Sequence, residues 1–291
     1  MDFDHWHTGM YSGRGSMKFV KMHGLGNDYV CINCFRERVE DPPGFARTLC
    51  DRHYGIGADG LILICPSKVS DFKMEIYNSD GSVAGMCGNG IRCLGKYVYD
   101  YRLTGKETLS IETKSGIRNM HLHIQDGKAC GAMVDMGVPR LNAHSIPILS
   151  EKDLVINDPI EVQKKNYRMT GISMGNPHAV IFLEEINGIS LEETGRELEF
   201  HPRFPERANI EFCHVTARDR MEIRVWERGV GETLACGTGA CAAVVASVLN
   251  DLTDEEVIVK LLGGELSVRW DRKVNHVFLE GPAVKVFDGV L

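Results

Sequence analysis

Hydrophobic and polar residues alternate in short runs along most of the chain, and turn-forming residues bound nearly every run. Such alternation is typical of half-buried β-strands. In the first half of the chain the pattern predicts strands at residues 17–20, 29–33, 61–65, 73–78, 108–112 and 121–124. In the second half it predicts strands at residues 171–173, 179–183, 210–215, 221–226, 257–260, 265–270 and 276–280.

Helical spacing of apolar residues is rarer than strand alternation. It predicts helices at residues 43–50, 91–101, 190–197 and 240–249. Many short strands with one long helix in each half indicate an α+β fold.

Length and charge limit the classes of protein that this chain can belong to. Its 291 residues suggest two domains rather than one. A net charge of −7 offers no basic surface for a phosphate backbone, so we expect no nucleic-acid partner. The most apolar stretch, residues 240–249, is too short to cross a bilayer, so we expect no membrane partner either.

Cysteine content points to a reducing compartment. Ten cysteines occur without an apolar signal segment, which favours free thiols and a cytoplasmic location. Residues 1–16 end in the Gly/Ser-rich GRGS before a second methionine, Met17, and are interpreted as a leader or an appended tail.

Several unusual features recur along the chain at one fixed offset of 149 residues. This offset relates Cys87 in MCGNGIRC to Cys236 in ACGTGACA, and Asn27 in LGNDYV to Asn176 in MGNPHAV. The triplet at 76–78 falls in the same way on the triplet at 225–227. We therefore predict two halves of similar fold, residues 17–134 and 135–291, with the active site in the cleft between them.

Both repeated cysteines precede a Gly-x-Gly motif and an apolar helical run. This order predicts that each sulfur lies at the start of a helix. There, free N–H groups and the helix dipole stabilise a thiolate and can bring a cysteine pKa from about 8.5 down to roughly 3.5–7.5. The following N–H groups can also bind an anion such as a carboxylate.

Two facing cysteines suit a nearly symmetric reaction, the inversion of a carbon that bears an acidic hydrogen. One thiolate would remove the proton while the opposite thiol returns one, and backbone donors would stabilise the carbanion next to a carboxylate. A redox or metal-binding role for the thiols is the alternative from another class. The local Cys-x-x-Cys at Cys31 and Cys34 has no second such pair, which disfavours zinc.

The motifs together resemble one family, diaminopimelate epimerase, from Met17 to Leu291. They are KMHGLGNDYV, RHYGIGADGLI, IYNSDGS, MCGNGIRC, SMGNPHAV, RFPERANIEF, VWERGVGETLACGTGACA and the terminal DGVL. The resemblance implies conversion of LL-2,6-diaminopimelate to the meso form, in lysine and peptidoglycan precursor synthesis, without pyridoxal phosphate or metal. It also implies that each half is a curved, mostly antiparallel, barrel-like sheet around a central helix, and that the last strands, near residues 277–290, pack back on the first half.

The resemblance also assigns roles to individual residues. It implies acid and base roles for Cys87 and Cys236, and it places the reacting carboxylate on the N–H groups of Gly88, Asn89, Gly237 and Thr238. Other substrate contacts are implied for Asn27, Asn78, Asn176, Asn209, Glu227 and Arg228. His178 and Glu227 resemble the pair that tunes the two cysteines.

One position departs from some members of this family. Gly60, in GADGLI, stands where those members carry a glutamine, so a side-chain contact made from that position is missing here. A backbone group or a water molecule is expected to replace it.

Two related enzyme classes compete with this interpretation. A proline or hydroxyproline racemase would keep both thiols but bind a smaller substrate, for which Arg228 and several asparagines are too polar a lining. A different isomerase on the same fold would lack the catalytic thiols, whereas both cysteines stand in their expected motifs here. The sequence leaves the oligomeric state open, and a homodimer is among the assemblies that it allows.

Overall fold

A computed structural model describes residues 16–291 of the chain. The predicted leader or tail lies outside these residues, except for Ser16. Strands of the first half are β1 (Lys18–Gly24), β2 (Asn27–Asn33), β3 (Gly60–Cys65), β4 (Phe72–Asn78), β5 (Val83–Ala84), β6 (Thr108–Thr113), β7 (Gly116–Gln125) and β8 (Lys128–Gly137).

Ten further strands follow. They are β9 (Asp158–Val162), β10 (Lys165–Ser173), β11 (Pro177–Phe182), β12 (Asn209–Ala217), β13 (Arg220–Glu227), β14 (Gly231–Thr233), β15 (Glu256–Leu261), β16 (Gly264–Asp271), β17 (His276–Pro282) and β18 (Val284–Val290). The helices are α1 (Pro42–Leu49), α2 (Gly88–Asp100), α3 (Leu191–Glu199) and α4 (Gly237–Leu249), and a short 3-10 helix spans Ala143–Ser145.

The predicted strands and helices are all present, and the fold is α+β as expected. Alternation was informative where one strand face is buried, as in β4, whose residues alternate between buried and partly exposed positions. The alternation pattern did not predict five strands. Two of them, β5 and β14, are too short to show a period, and β18 is exposed along most of its length and is held by its pairing with β1. The other two are β8, which is rich in small residues, and the five-residue β9.

The strands form one open, curved sheet. The sixteen longer strands pair in the order β18, β1, β2, β3, β4, β6, β7, β8, β17, β16, β15, β13, β12, β11, β10, β9, with β18 and β9 at the two ends among the described residues. The short strands β5 and β14 pair with β4 and β13. The sheet is therefore barrel-like in its curvature but not closed.

The repeat seen in the sequence is also a repeat of strand register. Tyr29 lies opposite Gly60 in the parallel pair β2 and β3, and His178 lies opposite Asn209 in the parallel pair β11 and β12. These two pairs are related by the same offset of 149 residues. The two halves of the chain are thus pseudo-symmetric, as predicted.

Both long helices lie in the core. α2 packs against β8 and β1, and α4 packs against β16 and β10. Residues of α4 are buried on nearly every side, which is why its sequence consists of small and apolar residues and carries no charge. One hydrophobic cluster contains residues of both helices, so the halves share a core.

Strands from the end of the chain pair with strands from its beginning. β17 pairs with β8, and β18 pairs with β1. The boundary that we predict between residues 134 and 135 falls inside β8. The division of the chain at that point therefore stays a prediction.

Candidate active site

Cys87 and Cys236 cap the two long helices. The Cys87 sulfur accepts a hydrogen bond from the Gly90 N–H at 3.5 Å, and the Cys236 sulfur accepts one from the Gly239 N–H at 3.4 Å. Each cysteine has the extended backbone of an N-cap residue. The prediction that each sulfur lies at a helix start is confirmed.

The two helix starts face each other closely. A Cβ atom added to Gly237 would lie 3.5 Å from the Gly88 Cα atom, and one added to Gly88 would lie 3.7 Å from the Gly237 Cα atom. Small residues at both positions allow this approach. The backbone that follows each cysteine is thus brought together in one place, where the positive ends of two helix dipoles converge.

The site has a first side around Cys87 and a second side around Cys236. On the first side, Cys87 is surrounded by hydrogen-bonding groups. The Tyr29 hydroxyl lies 2.8 Å from the sulfur, and the Asn27 Oδ1 atom lies 3.6 Å from it. Asn27 Oδ1 also accepts hydrogen bonds from the Tyr29 hydroxyl at 2.5 Å and from Asn89 Nδ2 at 3.2 Å. Three of these residues sit at the start of β2 or of α2, so the strand and the helix together position the thiol.

The second side repeats this arrangement with different chemistry. The Thr238 hydroxyl lies 3.5 Å from the Cys236 sulfur and accepts a hydrogen bond from Asn176 Nδ2 at 3.4 Å. His178 Nε2 lies 3.0 Å from Asn176 Oδ1. The other ring nitrogen of His178, Nδ1, lies 2.6 Å from Glu211. Both members of this histidine–glutamate pair are fully buried.

The sequence predicted that the helix starts lower the pKa values of the two thiols, and this direction is wrong because both pKa values are raised. Burial raises the pKa of the Cys87 thiol, although hydrogen bonds from Tyr29 and from the N–H groups of Gly90 and Asn89 oppose this rise. Burial also raises the pKa of Cys236 well above its ordinary value, and the carboxyl groups of Glu227 and Glu211 add to the rise. The cost of removing a charge from water exceeds what the helix-start donors return in this arrangement.

Glu227 and Asn209 support the second side of the site. Burial raises the pKa of the Glu227 carboxyl, while hydrogen bonds from Thr233 and Cys236 and the nearby His178 oppose this rise. The Thr233 hydroxyl lies 2.6 Å from Glu227. Asn209 Oδ1 accepts the Arg228 backbone N–H at 2.9 Å, which fixes the turn after β13.

Two of the predicted substrate contacts are less enclosed. The Arg228 side chain is exposed and donates to the Glu206 carbonyl at 2.8 Å. Asn78, at the end of β4, is also exposed and donates to the Ser82 hydroxyl at 2.9 Å. Their present hydrogen bonds lie within neighbouring loops rather than with the two cysteines.

Sequence reasoning did not assign Tyr29, Arg92 or Glu211 to this site. Glu211 is a charged residue inside the apolar strand β12, and its neighbours Ile210 and Phe212 are both buried. Arg92 is likewise a charged residue at a buried position of α2. A charge within a buried run is the pattern that could have identified both.

The departure at Gly60 has a structural counterpart. A Cβ atom at this position would lie 3.4 Å from the Tyr29 ring and 2.7 Å from the Tyr77 carbonyl oxygen. The second distance is shorter than real Cβ contacts, so position 60 has no room for a side chain in this backbone. The Tyr29 ring covers Gly60 and carries its hydroxyl to Cys87.

Two surface cavities lie away from Cys87 and Cys236. One cavity is lined in part by Tyr167, Arg168 and Phe182, another by Glu192 and Arg196, and neither lining includes the cysteines. Within residues 16–291, no three His, Cys, Asp or Glu residues are grouped as metal ligands, and all ten cysteines are free thiols. No helix in the same part of the chain is long and apolar enough to span a bilayer.

Comparisons with known proteins agree with one another. The family model described as diaminopimelate epimerase matches residues 19–142 and 170–286. A diaminopimelate epimerase from Acetivibrio thermocellus is 53% identical over 94% of this chain and 98% of its own length. One from Methanococcus maripaludis is 50% identical over 94% of this chain and 99% of its own.

Solved structures with low identity share the fold. A hydroxyproline epimerase from Agrobacterium vitis has a TM-score of 0.70 at 13% identity and covers 96% of this chain and 91% of its own. A phenazine biosynthesis protein of the PhzF family from Bacillus anthracis has a TM-score of 0.67 at 17% identity and covers 96% of this chain and 99% of its own.

Proposed function

Because the chain belongs to the diaminopimelate epimerase family, we propose that it inverts one α-carbon of 2,6-diaminopimelate and so converts the LL form to the meso form. The observation that supports this most directly is the pair of cysteines, Cys87 and Cys236, that cap two helices whose starts face each other. The enzyme is accordingly an amino-acid isomerase.

In the proposed reaction one cysteine acts as a thiolate and the other as a thiol. The thiolate takes the α-proton, so that an S–H bond forms while the C–H electron pair stays on the substrate as a carbanion delocalised into the carboxylate. The opposite thiol then gives its proton to the other face of the same carbon and becomes the thiolate. The number of protons and the total charge of the two cysteines are the same before and after the reaction, and the two cysteines are themselves the proton donor and the proton acceptor.

Backbone donors stabilise the charge that develops on the carboxylate. The N–H groups of Gly88, Asn89, Gly237 and Thr238 belong to the two first helical turns and are free of intrahelical partners. Each donor aimed at developing charge contributes about 2.7–4 kcal/mol in the transition state. Two helix starts together can therefore supply on the order of 10 kcal/mol.

The remaining predicted residues are assigned to the substrate or to the cysteines. We propose that Asn27, Asn78, Asn176, Asn209, Glu227 and Arg228 bind the amino and carboxylate groups of the substrate. The fork of Arg228 suits a carboxylate, and carboxamides suit either group. His178 and Glu227 are proposed to tune the two cysteines, since Glu227 lies against the Cys236 thiol and raises the pKa of both thiols.

The setting of the reaction is part of the same proposal. The enzyme acts in the cytoplasm, in lysine and peptidoglycan precursor synthesis, with a small-molecule substrate and without a cofactor. A homodimer and the division into halves at residues 17–134 and 135–291 stay predictions.

Hydrogen exchange at the α-carbon tests this function. LL- and meso-diaminopimelate are incubated in deuterated water with reductant and chelator, using wild type, Cys87→Ser and Cys236→Ser. We expect epimerisation with deuterium incorporation by wild type, and its loss or severe reduction in each variant.

Other outcomes of this experiment separate the alternatives. Exchange at a smaller amino acid such as proline, with neither diaminopimelate isomer active, would keep the thiol chemistry and reject the substrate. Absence of exchange at any amino acid would reject the epimerase function.

A further inference from the structure

The Tyr29 hydroxyl makes a direct contact with the Cys87 sulfur that the proposed mechanism has not used. Its oxygen lies 2.8 Å from Sγ, and the side chain is only 5% exposed on strand β2. We propose that Tyr29 is a positioning residue for Cys87, whose hydroxyl donates to the sulfur when it is a thiolate and to Asn27 when it is a thiol. This inference rests on the proposed function and deepens it.

The geometry provides two alternative acceptors for one hydroxyl proton. Besides the sulfur, Tyr29 has Asn27 Oδ1 at 2.5 Å. A phenol has a single O–H donor, so it can serve only one of these acceptors at a time. Rotation about the C–O bond of the phenol turns the hydroxyl proton from one acceptor to the other. The donor can therefore change its partner with the protonation state of Cys87 without any movement of heavy atoms.

Tyr29 serves as a donor and not as a base. Burial raises the pKa of its phenol well above the ordinary value, and the nearby Cys87 raises it further. The phenol therefore stays protonated when Cys87 is ionised, and the thiolate keeps its hydrogen bond. A hydrogen bond to the charged form of a group favours that form.

The pseudo-symmetric position in the other half confirms that this arrangement is one-sided. The offset of 149 residues takes Tyr29 to His178, which contacts Asn176 in the way that Tyr29 contacts Asn27. The second ring nitrogen of His178 is directed to Glu211. The side-chain contacts of Cys236 thus come from Thr238 and Glu227, and not from the residue that matches Tyr29.

The charged residues near Cys87 also differ from those near Cys236. The buried Arg92 of α2 lies near Cys87, and the matching position of α4 is the neutral Cys241. Conversely, Glu211 lies near Cys236, and its counterpart is Ile62. Glu227 of β13 acts on both thiols and raises both pKa values. Cys87 therefore has a cation and a neutral donor nearby, whereas Cys236 has an additional carboxyl group, so a thiolate is less unfavourable on Cys87 than on Cys236.

The test measures the ionisation of Cys87 without requiring turnover. Wild type, Tyr29→Phe and the control Tyr77→Phe are alkylated with iodoacetamide across a pH series, and mass spectrometry follows the peptide that contains Cys87. Tyr77 is a suitable control because its hydroxyl, on strand β4, bonds to Glu75 at 3.1 Å and not to the site. Circular dichroism verifies that both variants fold.

Loss of one charge-assisted hydrogen bond should shift the midpoint of Cys87 alkylation upward by about one to two pH units. At pH values below the midpoint, alkylation should slow by about 10- to 100-fold in Tyr29→Phe. The control should match wild type. An unchanged midpoint in Tyr29→Phe, or an equal shift in Tyr77→Phe, would overturn the inference.

Steady-state kinetics provide a second readout. With diaminopimelate, Tyr29→Phe should lower kcat and move the acidic limb of the pH profile to higher pH, with KM within about twofold of wild type. A rise in KM with an unshifted limb would mean a merely structural role and would contradict the inference. If wild type does not epimerise diaminopimelate but the alkylation midpoint still shifts, the proposed function fails while the role of Tyr29 stands.

Discussion

The His178 imidazole and the Glu211 carboxylate form a fully buried pair, with Nδ1 and Oε1 2.6 Å apart. The pair lies beneath the start of α4, because a Cβ atom on Gly239 would come within 2.8 Å of Glu211 Oε1. Through its other nitrogen, His178 contacts Asn176, which in turn contacts Thr238. The buried carboxylate therefore orients, through His178, a polar chain that ends next to Cys236.

Replacing Glu211 by glutamine should disturb this polar chain, although the two side chains have nearly the same size. We expect kcat/KM to fall at least about tenfold and the free energy of unfolding to fall by about 1–3 kcal/mol, because a buried partner of His178 loses its charge. Urea unfolding and steady-state kinetics measure both. Glu222→Gln is the control, since the exposed Glu222–Lys260 pair should contribute less than about 1 kcal/mol. Wild-type activity in Glu211→Gln would contradict the orienting role.

Arg92 connects the first helix start to the last strands. It is fully buried and donates to the Gly88 carbonyl and to Asn89 Oδ1, both at 2.8 Å, and to the Pro282 carbonyl at 3.1 Å. Arg92→Met should lower the free energy of unfolding by about 3 kcal/mol, because several buried acceptors lose their donor together.

Arg92→Lys should restore little of this loss, since a single ammonium group cannot reproduce the planar fork. Urea unfolding measures both variants. The exposed Arg220, which pairs with Glu265 at 3.2 Å, provides the control Arg220→Met, for which we expect a change below about 1 kcal/mol. Equal stability of Arg92→Lys and wild type would show that charge alone suffices.

Gly263 holds two loops of the site close to its own backbone. A Cβ atom there would overlap the Leu25 carbonyl oxygen and lie 3.0 Å from the Leu234 carbonyl oxygen. These residues precede Asn27 and Cys236, so Gly263→Ala should push both loops outward and lower the free energy of unfolding by about 1–3 kcal/mol. Thermal unfolding compared with Gly188→Ala tests this, because nothing lies within 4 Å of a Cβ atom on Gly188. Equal stability of the two variants would show that the loops can adapt.

Asp28 should make folding sensitive to acid. Burial acts to raise the pKa of its carboxyl, but hydrogen bonds from Arg52 and Lys21 outweigh burial and lower the pKa from 3.8 to about 2. A carboxyl whose pKa is lower in the folded state stabilises the fold above the unfolded pKa, and this contribution is lost as pH falls from about 4 to about 2.

Asp28→Asn should therefore lower the free energy of unfolding by about 2 kcal/mol at neutral pH, and by much less near pH 2. Urea unfolding of wild type and variant at both pH values gives the difference. Asp254→Asn is the matched control, because Asp254 pairs with Arg218 on the exposed surface. A deficit in Asp28→Asn that did not shrink in acid would show that the ion pairs are not its cause.

How far the sequence could predict the structure depended on whether a feature was local. The strand β4 and the helix α4 were recognisable because burial of one strand face, or of a whole helix, leaves a period or an apolar run in consecutive residues. β18 was not recognisable, because most of its residues are exposed and its pairing with β1 joins the two ends of the chain.

For the site as well, local features were predictable from the sequence and non-local ones were not. Cys87 and Cys236 could be placed at helix starts from the Gly-x-Gly motifs that follow them, and the offset of 149 residues indicated that they belong together. The direction of their pKa shifts was predicted wrongly from the sequence. It depends on how deeply each sulfur is buried and on which carboxyl groups approach it, and both come from strands remote in sequence.

By itself, then, the sequence determined that this protein has two related halves, that each carries a cysteine at a helix start, and that its motifs are those of an amino-acid epimerase family. These properties can be recognised from neighbouring residues and from a sequence repeat. Only the tertiary structure decided that Tyr29 contacts Cys87, that His178 and Glu211 are buried beneath Cys236, and that the two thiols have different surroundings. Such contacts join residues from separate strands and helices, and their energies depend on burial, which exists only once the chain has folded.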